Sequence, residues 1–309
     1  MEFLRLLEGL RTPFFNTVFQ FFTLFGEETV FMIVAMTFFW CINKKTGYFL
    51  LYVCFFGNIV NSFLKLVFLV PRPWVLDKNF TIVESARAQA TGYSFPSGHT
   101  QNSAGLFLGV ARARKELWIR IVCVAVTLLV GFSRMYLGVH TPADVLVSLG
   151  VALLLVLVGY PLFQRAWDKP GWFGPLVGVL LAAAVAIVLF IELVPMPAGA
   201  IEQFSLECNE SAYKMVGAAF GLALVLWIEQ AYIRFSEKAV WWAQVLKVAL
   251  GLAVVIAVRL LLKEPLLAVF GGHNAAHAVR YFLMVVIGGA LWPLTFRFFG
   301  KLGQHAKQA

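Results

Sequence analysis

"GYFLLYVCFFGNIVNSFLKLVFLVPRPW", residues 47–74, is the stretch that decides the fold. From Gly47 to Val70 it carries a single charge, Lys65, and it is long enough to cross a bilayer as a helix, which takes about 20 residues. Comparable stretches recur and predict nine crossings, at 28–42, 47–70, 97–111, 118–138, 143–163, 173–194, 213–233, 240–262 and 279–299. Composition agrees: 61% of the 309 residues are hydrophobic, 13% are charged and the mean hydropathy is +0.82, which excludes a soluble all-α enzyme. The expected fold is an all-α, polytopic integral membrane helix bundle with an N-terminal interfacial helix. That first helix is read from "MEFLRLLEGLR", where Glu2, Arg5, Glu8 and Arg11 alternate with apolar residues as in a helix lying in the interface. The segment lacks the basic start and small-residue cleavage site of a signal peptide. "FFNTVFQFFTLF", residues 14–25, reads as interfacial or half-inserted.

The formal charge of +9 raises nucleic-acid binding, but the basic residues lie in short loops between spans and form no stripe on a soluble surface. In a membrane protein such a balance is first a topology signal, because Lys and Arg gather on the cytoplasmic side. With Lys44 and Lys45 cytoplasmic, alternating loops put 14 basic residues, the last of them Lys307, and 4 acidic ones on that side, a balance of +10. The other face holds 11 basic and 12 acidic residues, a balance of −1. The loop 71–95, "PSGH" and the stretch 133–144 then share the non-cytoplasmic face of a multi-pass protein of the cell membrane. "WDKPGW", residues 167–172, marks a seam between a core at 1–165 and additional membrane helices at 166–309. Cys41, Cys54, Cys123 and Cys208 show no CxxC spacing, so neither a disulfide framework nor a zinc site is implied.

Three polar segments carry the chemistry. In the first, Lys65 and Arg72 lie seven residues apart, on one face of a helix, and Pro71 and Pro73 end that helix and fix the guanidinium. Arg72 alone reads as snorkelling to the interface, whereas a lysine more than a turn inside an apolar span has a partner or a task. In the second, "SFPSGHT" at 94–100, Pro96 and Gly98 bracket Ser97 just before an apolar run, which reads as a helix N-terminus and so as an anion site, with His99 beside it. In the third, "SRMYLGVHTPADVL" at 133–146, Thr141, Pro142 and Asp144 read as a capped helix start. Asp144 is also four residues from His140, a spacing that lets its carboxylate accept from Nδ1 and leave Nε2 free. Together with Arg134 the segments offer two arginines, a lysine, a helix N-terminus, two histidines and a carboxylate. Phosphoryl transfer needs that inventory, because its transition state spreads negative charge over equatorial oxygens between an attacker and a leaving group. No dense carboxylate or His/Cys cluster accompanies them, so no metal and no cofactor is expected.

These residues carry a resemblance. "K-x6-RP" at Lys65–Pro73, "PSGH" at Pro96–His99 and "SR-x5-H-x3-D" at Ser133–Asp144 resemble the three-part signature of the type 2 phosphatidic acid phosphatase family, without a departure at any of 11 specified positions. The resemblance covers roughly residues 1–165. It implies that His140 is the nucleophile of a phosphohistidine, that Asp144 orients it, and that His99 protonates the leaving group and then activates water. It implies further that Lys65, Arg72 and Arg134, with Ser97 and the Gly98 amide, bind the phosphoryl oxygens, without a metal, at the non-cytoplasmic surface. The expected partners are a lipid phosphate or diphosphate and the surrounding membrane lipids, and the sequence sets no oligomeric state. Two rivals stand beside hydrolysis: transfer of the phosphoryl group to an acceptor hydroxyl, and a lipid transporter or scaffold with an idle site.

The second half carries no part of the signature. "GAAFG", Gly217–Gly221, has the small-xxx-small spacing of closely packed membrane helices. Glu202, Glu207 and Glu210 read as a solvated acidic loop. His273 and His277 in "GGHNAAHAVR" share a face but lack a third ligand, and read as interfacial histidines capping the last span.

Overall fold

The computed structural model describes residues 1–302, so Lys307 lies outside the described residues. In chain order the helices are α1 (Glu2–Gly9), α2 (Pro13–Thr23), α3 (Glu28–Thr37), α4 (Lys44–Phe68), α5 (Pro73–Leu76), α6 (Gly98–Ala113) and α7 (Leu117–Tyr136). They continue with α8 (Pro142–Asp168), α9 (Phe173–Leu193), α10 (Glu202–Ile228), α11 (Trp241–Leu261), α12 (Lys263–Val269), α13 (Ala275–Val286) and α14 (Phe296–Lys301). Among the described residues there is no strand.

Among the described residues, seven segments, built on α4, α7, α8, α9, α10, α11 and α13, are long and apolar enough to cross a membrane. The expected nine differ at two places. Residues 28–42 are one arm of a helix pair, Pro13–Gly26 and Glu28–Ile42, bent by 52°, which makes an eighth span only if taken whole. The stretch 97–111 falls in α6, which has 16 residues, so it reaches about 24 Å at 1.5 Å per residue, against roughly 30 Å of hydrocarbon. A short helix suits α6 because it does not face lipid along its length: it packs on α4, α7 and α8. Half of its residues are buried, from Thr100 and Gln101 at its start to Val110. Apolarity within a window does not reveal that the helix is enclosed by protein.

Local sequence fixes the ends that matter. Asn43 caps α4 by accepting from the Thr46 N–H at 2.8 Å. At the other end Leu69 turns into the left-handed region at φ 48°, and Pro71 prevents the helix from resuming. α1 turns Leu4 inward onto Phe80 and Ile82 of the 71–95 loop, so the interfacial helix also covers that loop. The two halves share one apolar core: Phe49 and Phe163 belong to the same cluster as Ala218, Leu222, Val225 and Met284.

α10 runs antiparallel to α4. At one end Lys44 pairs with Glu229 at 2.7 Å, and at the other the residues after α4 meet the start of α10. The "GAAFG" spacing does what its pattern predicts: a Cβ on Gly217 would stand 1.9 Å from the Ala278 carbonyl oxygen, and one on Gly221 would stand 2.9 Å from Val285 Cβ. Both glycines therefore let α10 approach α13 backbone to backbone. We expect Gly217→Leu to lower the melting temperature in detergent, with a cost at or above the ~1–3 kcal/mol of ordinary overpacking. Gly178→Leu on α9, where nothing lies within 4 Å, should be near neutral. Equal melting of the two variants would contradict the close approach.

Candidate active site

The C-terminal ends of α4 and α7 and the N-terminal ends of α6 and α8 converge at one end of the bundle. The connections are backbone-deep: the Ser97 N–H donates to the Asp144 carbonyl at 3.1 Å, and the Ser148 hydroxyl donates to the Ser97 carbonyl at 2.9 Å.

His140 lies between α7 and α8 and is 1% exposed. Its Nδ1 is 3.3 Å from Asp144 Oδ2, and its Nε2 is 2.9 Å from Arg72 Nη1. A carboxylate can only accept, so the ring proton sits on Nδ1, facing Asp144, and Nε2 carries the lone pair; Arg72 Nη1, also 3.5 Å from Nδ1, lies over the ring. Burial, reinforced by the charge of Arg72, pushes the His140 pKa well below its ordinary range. The imidazole is therefore neutral, with the cation against its ring.

Asp144 holds both of the positions its spacing left open. Its Oδ2 accepts from the Thr141 N–H at 2.8 Å while Thr141 Oγ1 accepts from the Asp144 N–H, which is a complete capping box, and the same oxygen faces His140. Ser94 donates its hydroxyl to that oxygen as well, at 2.5 Å.

Arg72 is 2% exposed and held by three backbone carbonyls. Nε donates to the Gly92 carbonyl at 2.9 Å, Nη1 to that of Val139 at 3.0 Å, and Nη2 to that of Thr91 at 2.5 Å. Lys65 Nζ donates to the next carbonyl in line, that of Tyr93. Arg134 differs, because Nη1 donates to Thr23 Oγ1 at 2.8 Å while its buried Nε and Nη2 have no partner. His99 also has a buried Nε2 without a partner. Unmet buried donors are costly, and they mark a place for an acceptor.

A cavity of about 410 Å³ opens onto this group, lined by Lys65, Arg72, Gly98, His99 and His140 from the first half and by Glu207, Ser211 and Lys214 from α10. Two expected ligands stand elsewhere. Arg134 and Ser97 are not on the cavity wall, and the Ser97 hydroxyl accepts from Thr100 Oγ1 at 3.0 Å as the cap of α6. Several contributors had no signal in the sequence. Thr23 reaches Arg134 from 111 positions away. Gly26 is required because a Cβ there would stand 2.7 Å from the His99 carbonyl oxygen and 2.8 Å from its Cβ. Glu207 is not part of a solvated loop: it lies in α10 and accepts from the Gly92 N–H at 2.5 Å. His273 does cap its helix start, accepting from the Ala275 N–H at 3.1 Å, while His277 is buried beside Arg280 at 3.0 Å. Among the described residues no three His, Cys, Asp or Glu side chains gather in a group able to hold a metal ion.

A histidine between a carboxylate and an arginine, with further buried cations at one end of a helical membrane bundle, is an arrangement suited to an anion. The comparisons give the family. Residues 45–168 match the PAP2 superfamily, and residues 213–305 match the PAP2 superfamily phosphatase, transmembrane extension. The chain belongs to the PAP2 superfamily and carries that C-terminal membrane extension. It is similar to undecaprenyl-diphosphatase BcrC of Bacillus subtilis, 35% identical over 109 residues, covering 35% of this chain and 51% of that protein. It is also similar to a probable sphingosine-1-phosphate phosphatase of Dictyostelium discoideum, 24% identical over 240 residues, covering 72% of this chain and 56% of that protein. A third relative is the lipid A 4'-phosphatase of Porphyromonas gingivalis, 29% identical over 178 residues, covering 54% of this chain and 73% of that protein. The chain spans about half the length of the first two relatives. No solved structure matches it.

The geometry around Asp144 separates its two tasks. In Asp144→Asn the amide oxygen can still accept from the Thr141 N–H, so melting should move little. Turnover should fall by roughly a hundredfold or more, as when the orienting carboxylate of a histidine is neutralised. A large melting loss with normal activity per folded molecule would leave only the cap.

Proposed function

We propose that the protein is a lipid phosphate phosphatase that removes a terminal phosphate from a lipid phosphate or diphosphate. The observation that carries this reading is the clamp on His140, because it fixes the tautomer in which Nε2 has a lone pair to offer and places a phosphate-binding cation against the ring.

A terminal phosphoryl group entering the cavity offers oxygens to Arg72 and Lys65, to the Gly98 N–H in the first turn of α6, and, through a small shift, to the unmet donors of Arg134. Arg72 then exchanges its contact with the ring for one with an oxygen, which holds the phosphorus near Nε2. Nε2 attacks phosphorus in line, the bond from phosphorus to the lipid oxygen breaks, and His99 gives that oxygen a proton. Burial and the nearby cations keep His99 neutral until the negative charge of the phosphate enters and lets it take up that proton. The phosphohistidine is discharged by a water whose proton passes to His99. Its oxygen bonds to phosphorus, the bond to Nε2 breaks, and inorganic phosphate leaves with His140 restored. The carboxylate of Asp144 stabilises the ring while it carries the phosphoryl group.

By their names the relatives act on undecaprenyl diphosphate, sphingosine 1-phosphate and lipid A. They share a phosphoryl group at the polar end of an amphiphile, and the substrate class proposed here goes no further than that. The loop charge balance supports a site on the non-cytoplasmic face of the cell membrane.

Phosphate release by the detergent-purified protein, in EDTA, from phosphatidate, sphingosine 1-phosphate and undecaprenyl diphosphate tests the reading. We expect release from at least one of them, lost in His140→Ala together with an acid-labile phosphoenzyme. A phosphoenzyme that persists in that variant would refute the nucleophile. His99→Ala should slow a poor leaving group at least tenfold more than a good one such as p-nitrophenolate. Equal slowing would argue against a general acid.

A further inference from the structure

The carbonyls of Thr91, Gly92 and Tyr93, three in a row, accept from Arg72 Nη2, Arg72 Nε and Lys65 Nζ respectively. They form a cradle that sets where both cations stand. The start of α10 holds that cradle from the other side. Glu207 Oε2 accepts from the Gly92 N–H at 2.5 Å. The Tyr93 hydroxyl accepts from the Ile201 N–H at 2.8 Å and lies 3.1 Å from Ser205 Oγ. Gly92 itself has φ +62°, and a Cβ there would stand 2.6 Å from Cys208 Sγ, so the helix rests directly on the loop backbone.

We propose that α10 of the extension is a working part of the phosphate site, with Glu207 as a positioning residue. Its carboxylate fixes the Gly92 amide, the amide fixes the three carbonyls, and the carbonyls fix Lys65 and Arg72 at the cavity wall. The inference rests on the reading of those two cations as phosphate ligands. It makes the start of α10 part of the phosphate site and predicts that a chain without α10 lacks a formed site.

The test uses the full chain in detergent, with phosphate release from the best lipid of the panel and inhibition by added inorganic phosphate as readouts. Glu207→Ala should raise KM and the inhibition constant for phosphate together, by roughly tenfold, with kcat changed less, which is the effect of losing one charged hydrogen bond behind a ligand. Glu207→Gln keeps an oxygen that accepts from the Gly92 N–H and should recover most of that affinity. Tyr93→Phe, which removes the hydroxyl contacts to α10 without shortening the side chain, should move both constants in the same direction and supplies the test if Glu207→Ala does not fold. Unchanged KM and phosphate inhibition in Glu207→Ala and Tyr93→Phe would overturn the inference. So would a loss of activity that merely tracks the folded fraction, with KM fixed and no rescue by Gln. A wild-type protein that neither releases phosphate nor is protected against heat by it removes the phosphatase reading, and the inference with it, an outcome distinct from either of the others.

Discussion

A guanidinium in the interior of a membrane bundle is tolerable only if its donors are met, since burying an unpaired charge costs several kcal/mol or more. Arg72 meets that condition through carbonyls at Thr91, Gly92 and Val139, and much of the surrounding structure follows from it. The loop after α4 has to return past the helix that launched it, so that its backbone faces the cation. The turn between α7 and α8 has to bring Val139 to the same point, which places His140 beside Arg72. Once those two requirements are satisfied, the imidazole has little freedom left.

The economy of Asp144 follows from the same crowding. One carboxylate oxygen takes the Thr141 amide, the Ser94 hydroxyl and the histidine ring. The helix start and the reactive ring are thus held by a single atom, so any motion of α8 along its axis is felt at His140. Rigid placement of this kind suits the proposed phosphoryl chemistry, in which positioning and electrostatics supply most of the rate.

Much of this was legible in the residues and some of it was not. The all-helical membrane class followed from hydropathy, and the juxtaposition of Lys65, Arg72, Gly98, His99, His140 and Asp144 followed from fixed local spacings whose chemistry makes sense only together. Thr23, Gly26, Ser94 and Glu207 could not be read, because each matters through a contact with a partner 50 or more positions distant, and neither a threonine in a Phe-rich helix nor a glutamate in an acidic stretch announces such a partner. The crossing count failed for a related reason. Hydropathy reports how apolar a window is, not whether lipid or protein surrounds it, and α6 is apolar because its neighbours are.

The size of the cavity has one more consequence. A space of about 410 Å³ has room for a phosphorylated head but not for a long hydrocarbon chain beside it. On the proposed function, most of the hydrocarbon of an amphiphilic substrate stays outside the cavity, in the bilayer. Encounter is then a two-dimensional event, governed by the mole fraction of the substrate in its leaflet rather than by its bulk concentration. On that reading, diluting the membrane with inert lipid slows the reaction at constant total substrate.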